Sequence, residues 1–505
     1  MIVAAFFTAC DPPQLDPDDN NNGNANNNGN GNGNGNNTEQ PTVKKPSQEL
    51  QQADQFAIDL FSTYYLWTKE VKKDLPRLNP DTCKTPIAVV KKIRYHNSGK
   101  EVDHWTSLTN NLDDMTSSVQ GLGLSYGYGL QAYWADNTYS SLVLVVQYAS
   151  KGKPAAEAGL KRGDVIWTIN GKTITLDNYY DAYDSESITI GVGPKRSEVK
   201  SVSMTANKDW EDPIILSKTF DINGKKVGYL VYNSFDLKTS ETLPGVFAQF
   251  KADGINELII DLRYNGGGYT STECVLASLI APPATVEARD IFQTEVVNEL
   301  LAEAWKDDDL NTYFVKEYKG ESDVNYDIVG SNPGVSKLYA IVTQGTASAS
   351  EGLLIGLAPF MNVVLVGDGH TYGKYCAGYM MSPENLYGSP SRTDYSKITK
   401  WGMYVMFSMF ADKNKENAAQ PDGIPVNINV KDDLLDGYQL GDEEETMLKA
   451  ALKAAGKVYT KSRAEAVAGS DLIPVPDMLV MPARPWGLSI KTDVPPFTFE
   501  ELSSK

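Results

Sequence analysis

The sequence has 505 residues, too many for one hydrophobic core, so it is expected to divide into several domains. An apolar fraction of 41% and a charged fraction of 22% are those of a globular protein, and a net charge of −19 argues against nucleic acid as a partner. Three scattered histidines, and cysteines at 10, 83, 274 and 376 with no ligand spacing, imply no metal site.

Residues 1–9 read MIVAAFFTA, an apolar run ending in small residues directly before Cys10. A buried N-terminal strand is the plainer reading, but the next segment does not suit it. Residues 11–47 are dominated by Asn, Gly, Asp and Pro, which cannot bury enough apolar surface to order themselves and are expected to form a disordered tether. The run resembles the end of a bacterial lipoprotein signal, although it is short and lacks a basic leading region. That resemblance implies a signal remnant over 1–10 and a lipid on Cys10. It also implies membrane attachment in the bacterial cell envelope, facing the periplasm or the outside.

From 48 to 117 the pattern is helical. Phe56, Leu60, Tyr64 and Trp67 form an apolar stripe at three- and four-residue spacing, and a second helix is predicted over 86–97. Residues 118–207 are β-rich. Ala155 to Gly171 combines a short helix (AAEAGL), a turn (KRGD) and a strand ending in Asn170-Gly171, a pair suited to a primed hairpin turn. This segment resembles the signature of PDZ domains. The resemblance implies a peptide-binding module whose carboxylate loop is best matched by Gly121, Leu122, Gly123 and Leu124, the two leucines forming an apolar pocket. The glycines can equally be read as simple turn residues.

Residues 208–464 alternate strands with helices, the pattern of an α/β domain with a mainly parallel sheet. In such sheets the chemistry collects at strand C-termini. Residues 465–505 form a Pro-rich extension with no role assigned by the sequence.

Three strand ends carry candidate chemistry. Thr346 to Glu351 (TASASE) lies between a strand and a helix, where Ser348 would sit at the sheet edge with backbone N–H groups aimed into the same space. Alone, Ser348 also reads as an ordinary helix N-cap. The segment DLRYNGGGY (261–269) ends a strand in three glycines, which let backbone amides approach a ligand closely. Lys374 follows the strand NVVLVG, and burial there would lower its pKa enough for a base; alone it reads as a surface lysine.

Together, in this order, the segments resemble the catalytic domain of the C-terminal processing (tail-specific) peptidases. The entry strand VGYLVYNSF and the closing GIPVNINV and DEEETMLKAALKAAG segments are similar as well. The resemblance implies a multidomain α+β protein with a small helical N-terminal domain, a PDZ domain and a ClpP/crotonase-like α/β catalytic domain. By position it implies Ser348 as nucleophile, Lys374 as base and no cofactor. The N–H groups of Ala349 and Gly267 would form the oxyanion hole, with Gly268 the alternative if the loop is offset by one residue. Substrates would be proteins or peptides with free C-termini.

Two departures from the family pattern stand out. The loop from Gly367 to Lys374 is one residue longer than the family's, and the glutamine that follows the family's lysine by four residues is here Gly378. Some relatives of this fold use a histidine, which keeps His370 as a secondary candidate. A catalytically weak or inactive peptide-binding or apolar-ligand-binding relative is the competing reading. Cys274 and Cys376 lie near the matched motifs, so a disulfide between them is a further candidate feature.

Overall fold

The computed structural model describes residues 45–119, 122–320, 323–388, 393–419, 422–459, 472–475 and 489–491. Cys10, Gly121 and most of the 465–505 extension lie outside the described residues.

Helix α1 (Gln48–Thr63) is capped by Ser47, whose side chain accepts from Leu50 N–H. Phe56, Leu60 and Tyr64 of the apolar stripe are buried; Trp67 lies beyond the helix end and stacks on Tyr95 instead. Helix α2 (Pro86–Ile93) stops four residues short of the expected 97, because His96 and Asn97 pair with Lys100 and Glu101. Strand β1 (Ser107–Thr109) leaves this region to join a distant sheet.

The next module is an antiparallel sheet of β2 (Tyr128–Trp134), β3 (Leu142–Ala149), β4 (Val165–Ile169), β5 (Ser187–Val192) and β6 (Lys200–Thr205), in that order. Leu142, Leu144, Val146, Ile166, Ile188 and Ile190 form its core. After β4, Asn170 and Gly171 both take positive φ, 49° and 74°, as the primed turn requires.

The third part begins with the hairpin β7 (Ile214–Ile222) and β8 (Lys225–Tyr232). Helix α3 (Thr239–Asp253) ends on Gly254 in the left-handed conformation (φ 74°), and the chain enters β9 (Glu257–Asp261). After α4 (Thr270–Ile280), β10 (Ile291–Val297) and β11 (Lys337–Val342) come α5 (Ala349–Leu357) and β12 (Asn362–Gly367). Then follow β13 (Cys376–Met381), β14 (Gly402–Ala411), β15 (Ile428–Asn429) and α6 (Thr446–Ala454). Strands β8, β9, β11, β12 and β15 are parallel, with β7 antiparallel at one edge.

Because strand side chains alternate, these apolar strands feed two cores at once. Leu230, Leu258, Ile260, Leu338 and Ala340 face α3, α4 and α5, whereas Tyr229, Ile259, Tyr339 and Ile341 face Met447, Leu448 and Ala451 of α6. Truncating one such residue, as in Ile260→Ala, is expected to cost about 2–5 kcal/mol.

A second sheet accompanies the parallel one. Strand β14 pairs antiparallel with β13, with β10 and with β1 of the N-terminal region. Phe56, Leu60 and Phe61 of α1 share one core with Met403, Val405 and Phe407 of β14. The helical region is thereby seated against the strand that flanks the lysine loop.

Candidate active site

The turn from β11 to α5 forces Ser348 to φ +62°, a region that costs a non-glycine residue energy and persists only where neighbours hold it. Glu351 supplies the hold. Its Oε2 accepts the N–H of Ser348 at 3.0 Å and of Lys374 at 2.9 Å; Oε1 accepts the N–H of Gly373 at 2.7 Å and the Thr371 hydroxyl at 2.5 Å. Burial pushes the Glu351 carboxyl up to about 7, against these four donors. Glu351 was not singled out from the sequence as a site residue; the Ser-x-x-Glu spacing of a capping box is the signal that marks it.

Lys374 is fully buried. Its Nζ lies 3.1 Å from Tyr404 Oη, 5.1 Å from the Trp105 ring centre and 5.3 Å from that of Tyr404. Burial lowers its pKa to about 8, while its ionisable neighbours Cys376, Asp103 and Glu351 act in the opposite direction. Asp103 is itself buried and accepts from Tyr65 Oη at 2.7 Å and from the N–H groups of Trp105 and Thr106. Asp103, Trp105 and Tyr404 had no signal in local spacing: Asp103 and Trp105 precede β1, which pairs with β14, and Tyr404 lies on β14, which pairs with β13 after the lysine loop.

The glycine loop is tied to the same turn through Asn265. Its carbonyl accepts from Ala347 N–H and Ser350 Oγ, each at 3.1 Å, and its Nδ2 donates to Tyr232 O at 2.9 Å. Gly267 (φ 110°) directs its N–H to Asn265 Oδ1 at 2.9 Å. Gly268 (φ 144°) has no room for a side chain, since a Cβ would lie 2.4 Å from Phe235 O. Ala349 opens α5, and first-turn N–H groups of a helix have no intrahelical acceptor.

Below the loop lies a buried charge cluster. Arg263 donates to Asp261 (2.7–3.1 Å), to Glu445 (2.7 and 3.0 Å) and to Asp432 (3.0 Å). Arg162, from the KRGD turn of the preceding module, enters the same cluster: it bonds Asp432, Glu445 (3.3 Å) and the hydroxyl of Tyr264, which itself bonds Asp432.

The other candidates fall elsewhere. His370 is half-buried and sets Nδ1 2.5 Å from the Thr371 carbonyl. Leu124 packs against the core of the β-rich module, but Leu122 is 42% exposed, so the two leucines diverge. Cys274 and Cys376 are both buried free thiols: the first donates to Tyr313 O, and the second lies 3.3 Å from Met406 Sδ. The candidate disulfide is therefore not formed, each sulfur being engaged in its own pocket. Among the described residues, no group of three or more His, Cys, Asp or Glu side chains is placed to hold a metal ion, and no helix is long and apolar enough to cross a membrane.

A β-rich module followed by a two-sheet body with a serine turn and a buried lysine has the architecture of PDZ-bearing serine peptidases. Residues 226–430 match the model of Peptidase family S41, and residues 145–191 match a PDZ domain. With these matches the chain is similar to the C-terminal processing peptidases of that family. It is 27% identical over 308 residues to the chloroplastic carboxyl-terminal-processing peptidase 2 of Arabidopsis thaliana, covering 56% of this chain and 52% of that protein. To the carboxyl-terminal-processing protease of Picosynechococcus sp. it is 28% identical over 240 residues, 46% of this chain and 51% of the relative. The chain thus spans about half the length of these curated relatives. A crystal structure of a putative S41 protease from Bacteroides fragilis shares the fold, with TM-score 0.60 and 22% identity over 79% of this chain and 96% of that one.

Proposed function

We propose that this chain is a serine endopeptidase that cleaves proteins near their C-termini through an acyl-enzyme on Ser348, with Lys374 as general base. The observation that carries this reading is the shared anchor: one carboxylate oxygen of Glu351 holds the backbone N–H of Ser348 and of a buried lysine whose pKa is lowered to about 8. A lysine in that range supplies the neutral amine that a base requires at mildly alkaline pH.

In the reaction, neutral Lys374 takes the Ser348 hydroxyl proton as Oγ bonds the scissile carbonyl carbon. The oxyanion is held by backbone N–H groups, Ala349 on one side and the glycine loop on the other. For Gly267 to serve there, its N–H has to leave Asn265 Oδ1; Gly268 is the alternative donor. Collapse breaks the C–N bond, Lys374 returns the proton to the departing amine, and water then releases the acyl group by the reverse sequence.

The PDZ module is proposed to bind the substrate's free C-terminus, with Leu124 and the Gly123 segment beside it. Lipidation of Cys10, tethering the enzyme in a bacterial cell envelope, belongs to the same proposal. It is tested by whether Cys10→Ala moves the protein from the membrane to the soluble fraction.

The deciding experiment is covalent labelling with a fluorophosphonate. Labelling of Ser348 that is lost in both Ser348→Ala and Lys374→Ala, together with peptide cleavage, is the expected result. Peptide binding without labelling or cleavage would instead favour an inactive peptide-binding relative.

A further inference from the structure

We propose that Tyr404 is the positioning residue for Lys374, standing in space that a side chain at 378 would otherwise fill. The inference rests on the Ser348–Lys374 reading and extends it to what aims the lysine.

A neutral amine can accept the serine proton only if its lone pair faces Ser348, and that orientation is fixed when its N–H groups are held elsewhere. Tyr404 Oη lies 3.1 Å from Nζ and accepts one of them. The phenol cannot swing away, because Tyr404 is fully buried within the core formed by β13, β14 and α1. Trp105 presents its ring to the ammonium at 5.1 Å, and Cys376, Asp103 and Glu351 are the ionisable groups around it.

Gly378 explains how the ring fits. In the β13–β14 ladder Gly378 pairs with Met406 and Met380 with Tyr404, so Tyr404 is the diagonal neighbour of Gly378. A Cβ on Gly378 would lie 2.7 Å from Tyr404 Cζ and 2.8 Å from both Tyr404 Cε2 and Met406 Cε. Gly378 is absent from the positive-φ glycines, so space rather than backbone conformation excludes a side chain. Position 378 and the Tyr404 phenol therefore compete for one volume beside the lysine, and here the phenol occupies it.

The test uses the full chain with a peptide substrate and a fluorophosphonate. Tyr404→Phe keeps the ring and removes only the acceptor, so the melting temperature should change little. Its kcat and its Ser348 labelling rate should fall about tenfold to a hundredfold with KM unchanged. The acid limb of its pH–rate profile should move to lower pH, since the ammonium loses an acceptor; a purely structural role would not move that limb. Gly378→Gln/Tyr404→Ala should recover activity relative to Tyr404→Ala alone, the glutamine entering the vacated space. Wild-type kcat and pH limb in Tyr404→Phe would overturn the proposal, and a double variant no better than Tyr404→Ala would overturn the exchange at 378. If Lys374→Ala is inactive while Tyr404→Phe is unaffected, only this inference fails. If Lys374→Ala labels and cleaves normally, the Ser–Lys reading itself fails.

Discussion

Glu351 joins Ser348 and Lys374 through one oxygen: Oε2 accepts the N–H of the serine at 3.0 Å and the N–H of the lysine at 2.9 Å. The strained turn and the lysine loop are thus held in register by a side chain that need never touch substrate.

Replacing that carboxylate by an amide should be severe. Of its four donors, only the Thr371 hydroxyl can reverse its role; the N–H groups of Ser348, Gly373 and Lys374 cannot. Either orientation of Gln at 351 sets its NH2 against at least one fixed N–H. Glu351→Gln is expected to lose about 1–3 kcal/mol of stability and most Ser348 labelling. Wild-type labelling in a variant of unchanged melting temperature would refute the cross-tie.

The pH profile of cleavage should rise through about pH 8, where buried Lys374 gives up its proton. Protonation of Glu351 near pH 7 adds a second loss on the acid side. A single-turnover profile with no rise between pH 6 and 9 would remove Lys374 as the base.

Lys374→Met should stabilise the fold while abolishing activity. A base whose ordinary value of 10.5 falls to about 8 binds its proton later in the folded protein than in the unfolded chain. Stability contributed by this site is therefore lost as pH falls from about 10.5 to about 8, and the whole penalty, roughly 3 kcal/mol, is in force at pH 7. After losing the contacts of Nζ, the methionine variant is expected to gain about 1–3 kcal/mol at pH 7 and less than half of that at pH 9.5. Urea unfolding at the two pH values measures it; an equal gain at both would contradict the argument.

Arg162→Met should weaken the protein by about 3–5 kcal/mol, because Asp261, Asp432 and Glu445 are left to share the single guanidinium of Arg263. Burial acts to raise the pKa of Asp432 and Glu445, but Arg162 and Arg263 outweigh it and hold both below their ordinary values. Such carboxylates stabilise the fold above their unfolded pKa, and that stability disappears as pH falls through the folded one. With Arg162 gone they should protonate earlier, and the acid-unfolding midpoint should rise; an unmoved midpoint would count against the cluster's role.

Much of this was legible from residues close in sequence. The strand–helix alternation, the Asn170-Gly171 turn and the Gly254 helix stop are local, and local patterns survive folding. Ser348 and Lys374 stood out because each follows an apolar strand and both fall within family motifs. Asp103 and Trp105 were illegible because antiparallel pairing of β1 with β14 joins residues some 300 positions apart, as in Ser107 opposite Tyr404, and Tyr404 because it reaches the lysine loop only through the β13–β14 ladder. Arg162 was read only as part of a turn, since nothing local tells that its guanidinium leaves its own module. Leucines 122 and 124 differ in exposure because the core of the module turns only Leu124 inward, which no local motif tells.

The shared cluster also bears on where the chain can be cut. Arg162 is contributed by one module, and Asp261, Arg263, Asp432 and Glu445 by the other. Severing the polypeptide near residue 207 and separating the halves would leave three buried carboxylates facing a single guanidinium, and would put a desolvated arginine back into water. The two modules should accordingly melt together, in one cooperative transition, and a boundary visible in sequence would not mark an independent folding unit.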